Sequence, residues 1–237
     1  MRCVQRPAEA RLVQRTLKQQ LIDLLQFAQC ERGRQCMERQ VPLIKGGWNA
    51  VRELLDTLDI REGFREFVSW CQENAITFAV VSDGLDRVIE YILKRHGIAV
   101  NRIYSNHLIE SVKGEFSLSF SSRPRLSGCQ SGVCKCQIAG QPAYQVVRTV
   151  IGDGRSDFCW AKEADLLFAR AKLVDYCRSQ GLQFNDFSSF IDIKLSLVPL
   201  LKGQTAHLNF NKTPLLVPQT QPTLLQMSEI SAQSLVG

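Results

Sequence analysis

Apolar residues recur with a helical period through the first third of the chain. Leu21, Leu24, Leu25 and Ala28 stand at i, i+3, i+4 and i+7, and Ile60, Phe64, Phe67, Val68 and Cys71 nearly repeat that spacing. Trp48, Val51, Leu54 and Leu55 make a third stripe. Such spacing places the apolar side chains on one face of an α-helix. Pro42 and the pair Gly46-Gly47 punctuate the stretch. The pattern predicts a small helical bundle over residues 10–75, a cap-like region spanning 1–75.

The period changes at residue 76. Ile76-Thr77-Phe78-Ala79-Val80-Val81 is a short apolar run rich in β-branched residues and polar at both ends. That is the signature of a strand buried on both faces. Ser82-Asp83-Gly84 then reads as a turn, and Leu85, Val88, Ile89, Ile92 and Leu93 line one face of a helix that Gly97 ends. Thr149–Gly154 repeats the strand-then-turn pattern, with a helix from Ser156, and Leu166-Leu167-Phe168-Ala169 is a further strand. Between these units, residues 111–121 alternate (Val112, Phe116, Leu118, Phe120), which predicts a hairpin turning at Lys113-Gly114. Residues 76–202 therefore read as an α/β core with a parallel sheet. From Gly203 to Gly237, Gln, Thr, Pro and Ser with scattered Leu show no period and predict a tail of low order.

Composition narrows the class. Of 237 residues, 45% are hydrophobic and 22% charged, enough for a packed core and unlike a disordered chain. No apolar run approaches the roughly 18–20 residues of a membrane span. Met1–Pro7 has no apolar run behind it, so no secretory leader is expected. Nine cysteines are too sparse for a disulfide scaffold and are expected as reduced thiols in the cytoplasm. The net charge of +6 is spread along the chain, which suits a small phosphorylated metabolite and does not call for nucleic acid.

Three segments carry candidate chemistry. Ser82, Asp83 and Gly84 lie at a strand's carboxyl end before a helix, where ligands bind in open α/β sheets. There Ser82 and the Gly84 amide could both donate to one phosphate oxygen; an ordinary capped turn is the other reading. Asp153 and Asp157, four apart beside glycines at another strand end, suit Mg²⁺, which needs few protein ligands; a capped turn again competes. Cys129, Cys134 and Cys136 bracket Lys135. Thiolates suit zinc, but the spacing is irregular and no fourth ligand is evident. Lys135 itself supplies a point charge for a phosphoryl group.

Taken in order, Val81-Ser82-Asp83-Gly84-Leu85-Asp86, Cys134-Lys135 and Gly152-Asp153-Gly154-Arg155-Ser156-Asp157-Phe158-Cys159 with Ala164-Asp165 resemble motifs two to four of the haloacid-dehalogenase superfamily. The chain looks most like its phosphoserine-phosphatase-like branch. Within that branch it is similar to the 2-hydroxy-3-keto-5-methylthiopentenyl-1-phosphate phosphatases of methionine salvage, over about residues 30–192. The resemblance implies a Rossmannoid three-layer parallel sheet with a helical cap, and Mg²⁺-dependent hydrolysis of a small phosphomonoester. It implies that Ser82 hydrogen-bonds the phosphoryl group, with Asp83 and Gly84 in the same loop. Lys135 would neutralise charge, Asp153 would bind Mg²⁺, and Asp157 would hold the metal's water shell or orient Lys135.

The family's first motif, a strand ending in Asp-x-Asp-x-Thr, supplies the nucleophile. No two aspartates of this chain stand two apart, so no Asp-x-Asp occurs anywhere in it. Without a nucleophile no aspartyl-phosphate forms, so the chain is expected to be inactive or nearly so. The absent strand is also the central one, and its loss leaves two facing edges of unpaired backbone groups, each costing about 1–3 kcal/mol if buried. These features suggest a truncated or frame-shifted phosphatase product. The alternatives are a non-catalytic phosphate-ligand binder and a cysteine-ligated metal module.

Overall fold

The computed structural model describes residues 33–121, 131–139, 147–202, 207–211 and 226–228. The helical stripe at Leu21–Ala28 lies outside them. Helices α1 (Gly33–Gln40), α2 (Gly47–Leu55) and α3 (Phe64–Glu73) precede strand β1 (Thr77–Leu85). Helix α4 (Asp86–Arg95), the hairpin β2 (Arg102–Glu110) and β3 (Phe116–Ser119), and the short helix α5 (Lys135–Ala139) follow. Then come β4 (Arg148–Gly152), α6 (Phe158–Ala161), β5 (Leu166–Ala169), α7 (Lys172–Gln180), β6 (Asn185–Asp186), α8 (Phe190–Leu201) and β7 (Gln226–Ser228).

The strands form one sheet in the order β3-β2-β1-β7-β4-β5-β6. The β2–β3 pair is antiparallel and every other pair is parallel. The apolar runs behave as strands covered on both faces. Phe78, Val80, Ile151, Leu166 and Phe168 pack with Phe64, Phe67 and Cys71 of α3 and Phe190, Ile193 and Leu197 of α8. Val81, Val150, Leu167 and Ala169 turn the other way, onto Trp160, Leu173 and Cys177. This alternation along continuous apolar runs makes a three-layer α/β/α sandwich. Each fully buried Val, Leu, Ile or Phe stabilises it by about 1.5–3 kcal/mol. Because α3 shares its cluster with β1, packing is continuous across residue 75. Helices α1 and α2 pack elsewhere, with Met37, Val51 and Leu55 against Leu85, Val88, Ile92, Leu108 and Phe116. Arg87 fastens that joint: it pairs with Glu110 at 2.9 Å and lies 4.2 Å over the Trp48 ring, while Glu110 also accepts from the Trp48 amide.

The structure corrects the sequence pattern in three places. Ser82-Asp83-Gly84 is not a separate turn but a bulged stretch inside β1, where the register with β2 shifts between Val81 and Leu85. The hairpin opens at Arg102, well before residue 111, because Ser105, Asn106 and His107 interrupt the apolar alternation of β2. Its turn is nevertheless where the sequence places it, with Gly114 at φ +74°. The third difference is the largest. The sheet is expected to lack its central strand, and most of the tail beyond Gly203, for which the pattern predicts no order, lies outside the described residues. Gln226–Ser228 instead lies between β1 and β4, pairing Thr77–Ala79 on one side and Arg148–Val150 on the other. Three residues are too few to show a period, and what draws them in is the backbone hydrogen-bonding demand of two facing edges. Among the described residues no helix is long and apolar enough to cross a membrane.

A proline in a central strand removes a ladder hydrogen bond. Met227→Pro is expected to lower the unfolding free energy by about 1–3 kcal/mol in a urea titration. A midpoint and slope equal to those of the unchanged chain would show that β7 contributes no pairing.

Candidate functional site

Parallel strands β1, β4 and β5 finish at a common sheet edge, so the chain that leaves them gathers there. The centre of that gathering is Asp157. Its Oδ1 accepts from Lys135 Nζ at 2.6 Å, and both side chains are 0% exposed. Its Oδ2 accepts from the Asp153 and Gly154 amides at 3.0 and 2.9 Å. Lys135 Nζ also donates to Ser156 Oγ at 3.1 Å and lies 5.4 Å from the Trp160 ring centroid. A buried ammonium and carboxylate are tolerated only when paired and hydrogen-bonded in this way.

Gly152 makes the arrangement possible. A Cβ there would sit 2.8 Å from the Asp157 carboxylate, inside its van der Waals contact distance. The glycine in Gly-Asp-Gly therefore permits a close approach, in which the carboxylate folds back over the end of β4.

Asp83 joins the neighbouring strand to the same cluster. Its Oδ1 accepts from the Val133 amide at 2.9 Å, and its carbonyl accepts from Asn106 Nδ2 at 2.7 Å. Val133 is two residues before Lys135, so Asp83 braces the segment that presents the lysine. Ser82 is 1% exposed, and its Oγ accepts from the Gly84 amide at 3.0 Å. The Gly84 N–H is thus turned onto Ser82, and the pair does not present two parallel donors as the sequence suggested. Lys135, Asp153 and Asp157 are joined directly by these bonds, Asp83 reaches them through Val133, and Ser82 precedes Asp83 in β1.

Sequence reasoning missed two cations here. The Arg61 guanidinium is held below the usual arginine range, first by burial and then by the positive charge of Arg170, while Asp153 pulls it the other way. The three groups are therefore electrostatic neighbours at the edge. Arg61 Nε is buried without a hydrogen-bond partner. Arg61 belongs to no motif; Arg170 carried one signal, its place directly after β5.

For a metal, the donor set is thin. Asp157 accepts from two amides and from Lys135, and Asp83 accepts from the Val133 amide, so both carboxylates serve the fold. Among the described residues no three His, Cys, Asp or Glu side chains could hold a metal together. One carboxylate suffices for Mg²⁺ only where a ligand's phosphate oxygens and water complete the shell. Cys129 lies outside the described residues, and Cys134 and Cys136 alone are too few for zinc.

The sequence matches the haloacid dehalogenase-like hydrolase family over residues 3–162. The chain belongs to that family. As a haloacid dehalogenase-like hydrolase it resembles a 2-hydroxy-3-keto-5-methylthiopentenyl-1-phosphate phosphatase of Lysinibacillus sphaericus, with 34% identity over 149 residues, 60% of this chain and 64% of that one. A protein of the same name from Bacillus cereus is 32% identical over 155 residues, 64% of this chain and 69% of that one. The chain thus spans about two thirds of the length of these relatives. In fold, it is similar to the crystal structure of a phosphoserine phosphohydrolase-like protein from Francisella tularensis. That match has a TM-score of 0.55 at 15% identity and covers 75% of this chain and 84% of that one.

Asp157→Asn removes the counter-charge of a fully buried lysine and is expected to cost about 3–5 kcal/mol in chemical denaturation. Gly152→Ala is expected to cost about 1–3 kcal/mol by crowding the same carboxylate. A loss under about 1 kcal/mol for Asp157→Asn would mean that the pair does not organise the site.

Proposed function

We propose that this haloacid dehalogenase-like chain is a phosphatase by descent that binds a small phosphorylated metabolite at the carboxyl edge of its sheet. We further propose that it hydrolyses the ligand little or not at all. The observation that carries this reading is the Lys135 ammonium, fixed between Asp157 and Ser156 beside the ends of β1 and β4. A phosphoryl group there lies in the field of the buried Lys135 ammonium and beside the Ser82 hydroxyl, with Arg61 and Arg170 as further positive charge. Of the two roles the sequence leaves open for Asp157, the geometry favours orienting Lys135. Phosphoryl transfer depends on this kind of positioning and charge stabilisation. What it also needs is a nucleophile, and the Asp-x-Asp pair is absent from the sequence.

Mg²⁺ would be held by Asp153 together with the ligand's own oxygens, and when bound it supplies neutralising charge. The relatives' name points to the ligand class: a short phosphomonoester with a neutral, thioether-containing tail. The setting of this reading is the cytoplasm, where cysteines stay reduced.

Calorimetric titration of the full chain with inorganic phosphate, with and without Mg²⁺, tests the binding claim. Ser82→Ala is expected to weaken phosphate by about tenfold, the loss of one hydrogen bond to a charged group. Absence of phosphate binding would remove the proposal. The hydrolysis claim is tested separately with para-nitrophenyl phosphate and Mg²⁺. No turnover above the buffer rate is expected, and turnover abolished by Asp153→Ala would establish an active phosphatase.

A further inference from the structure

Lys135 is flanked by two thiols that the site chemistry does not use. Cys134 Sγ and Cys136 Sγ are 3.2 Å apart. Cys134 is 3% exposed, whereas Cys136 is partly exposed. Cys136 is thus the member of the pair nearer solvent, with Cys134 Sγ against it. We propose that Cys134 and Cys136 form an oxidation-sensitive pair whose closure to a disulfide draws Lys135 off Asp157.

The chemistry balances with hydrogen peroxide as the oxidant. The Cys136 thiolate attacks one peroxide oxygen, the O–O bond breaks, and water and a sulfenic acid result. Cys134 Sγ then attacks the Cys136 sulfur and displaces hydroxide, which leaves as water with the second thiol proton. Two thiols and one peroxide become one disulfide and two waters. The sulfurs approach from 3.2 Å to a bond of about 2.05 Å. The residue enclosed by this small ring is Lys135, whose ammonium tolerates little displacement because its bonds to Asp157 and Ser156 are 2.6 and 3.1 Å long.

The other buried thiols serve as internal controls. Burial pushes Cys71 up to about 12 and Cys177 up to about 11, so both stay protonated and inert at neutral pH. The thiol chemistry stands independently of any ligand. Only its consequence for binding rests on the phosphate-binding reading above.

The experiment treats the full chain with hydrogen peroxide or with a reducing agent and maps the cysteines by mass spectrometry. Trypsin cuts after Lys135, between the two cysteines, so an oxidised pair keeps two fragments joined until reduction separates them. In parallel, an amine-acetylating reagent reports the exposure of Lys135, read after digestion with a protease that does not need lysine. The expected result is a 134–136 linkage, free Cys71 and Cys177, and Lys135 acetylation rising at least tenfold on oxidation. Cys136→Ser should abolish both changes while keeping Lys135 protected. Failure to form the linkage, or a linkage that leaves Lys135 as protected as before, would overturn the proposal. Failure of reduced protein to bind phosphate would count against the binding reading and leave both redox readouts standing.

Discussion

The fold around the site is organised by a carboxylate and an ammonium that have no access to water. Removing two such ions from solvent costs several kcal/mol each, and their attraction compensates only when every remaining polar atom is also matched. Asp157 meets that condition with Lys135 on one oxygen and two backbone amides on the other. The consequences spread outward. The two amides require the chain to curl tightly after β4, the curl requires no side chain at Gly152, and the lysine requires its own segment to be held down. Asp83 and Asn106 perform that last task from the neighbouring strands. Much of what resembles a ligand-binding motif in the sequence is, in physical terms, the support of this one pair.

The second constraint is the sheet itself. Ser82 and Asp153 leave strands that are not neighbours, because β7 stands between β1 and β4. Two strand spacings, about 9–10 Å, therefore separate the loops. If β1 and β4 paired directly, the spacing would halve and the loops would close on each other. The chain's C-terminal segment thus sets the width of the site although it lies far from Lys135 in sequence. A family whose central strand ordinarily comes first can keep its sheet when the strand arrives from elsewhere, because a parallel slot selects backbone direction more than side-chain identity.

The core strands were legible in the sequence because both of their faces are buried. Phe78 to Val81, Val150-Ile151 and Leu166 to Ala169 could be read as continuous apolar runs. Helix α4 was legible for the opposite reason, since its apolar residues keep to one side. Ser82, Asp153 and Asp157 were read from polar residues beside glycines at strand ends, and Lys135 from its cysteine-rich segment and the order of the motifs. What the sequence concealed depends on contacts between distant segments. Nothing local marks Arg61 as a neighbour of Asp153, and nothing in Gln226-Met227-Ser228 marks a central strand. The bulge at Ser82–Gly84 was misread as a turn because serine, aspartate and glycine serve both purposes.

On the proposed function, the absence of an Asp-x-Asp pair from this sequence would change the metal's role along with the nucleophile's. Arg61 feels the opposed charges of Arg170 and Asp153, and Lys135 is paired with Asp157. The family's Asp-x-Asp pair would add two negative charges, the amount a divalent cation cancels. On the proposed reading, without that pair Mg²⁺ gains little by leaving its hydration shell for Asp153 alone. A phosphate dianion restores the deficit and brings oxygen ligands with it. On the proposed function, metal and ligand binding would be coupled, and thermodynamic linkage would make the coupling reciprocal: Mg²⁺ would tighten phosphate by the same factor by which phosphate tightens Mg²⁺. A site that hydrolyses its substrate gains from a resident metal, whereas a site that only holds a phosphorylated ligand can let the metal arrive and leave with it.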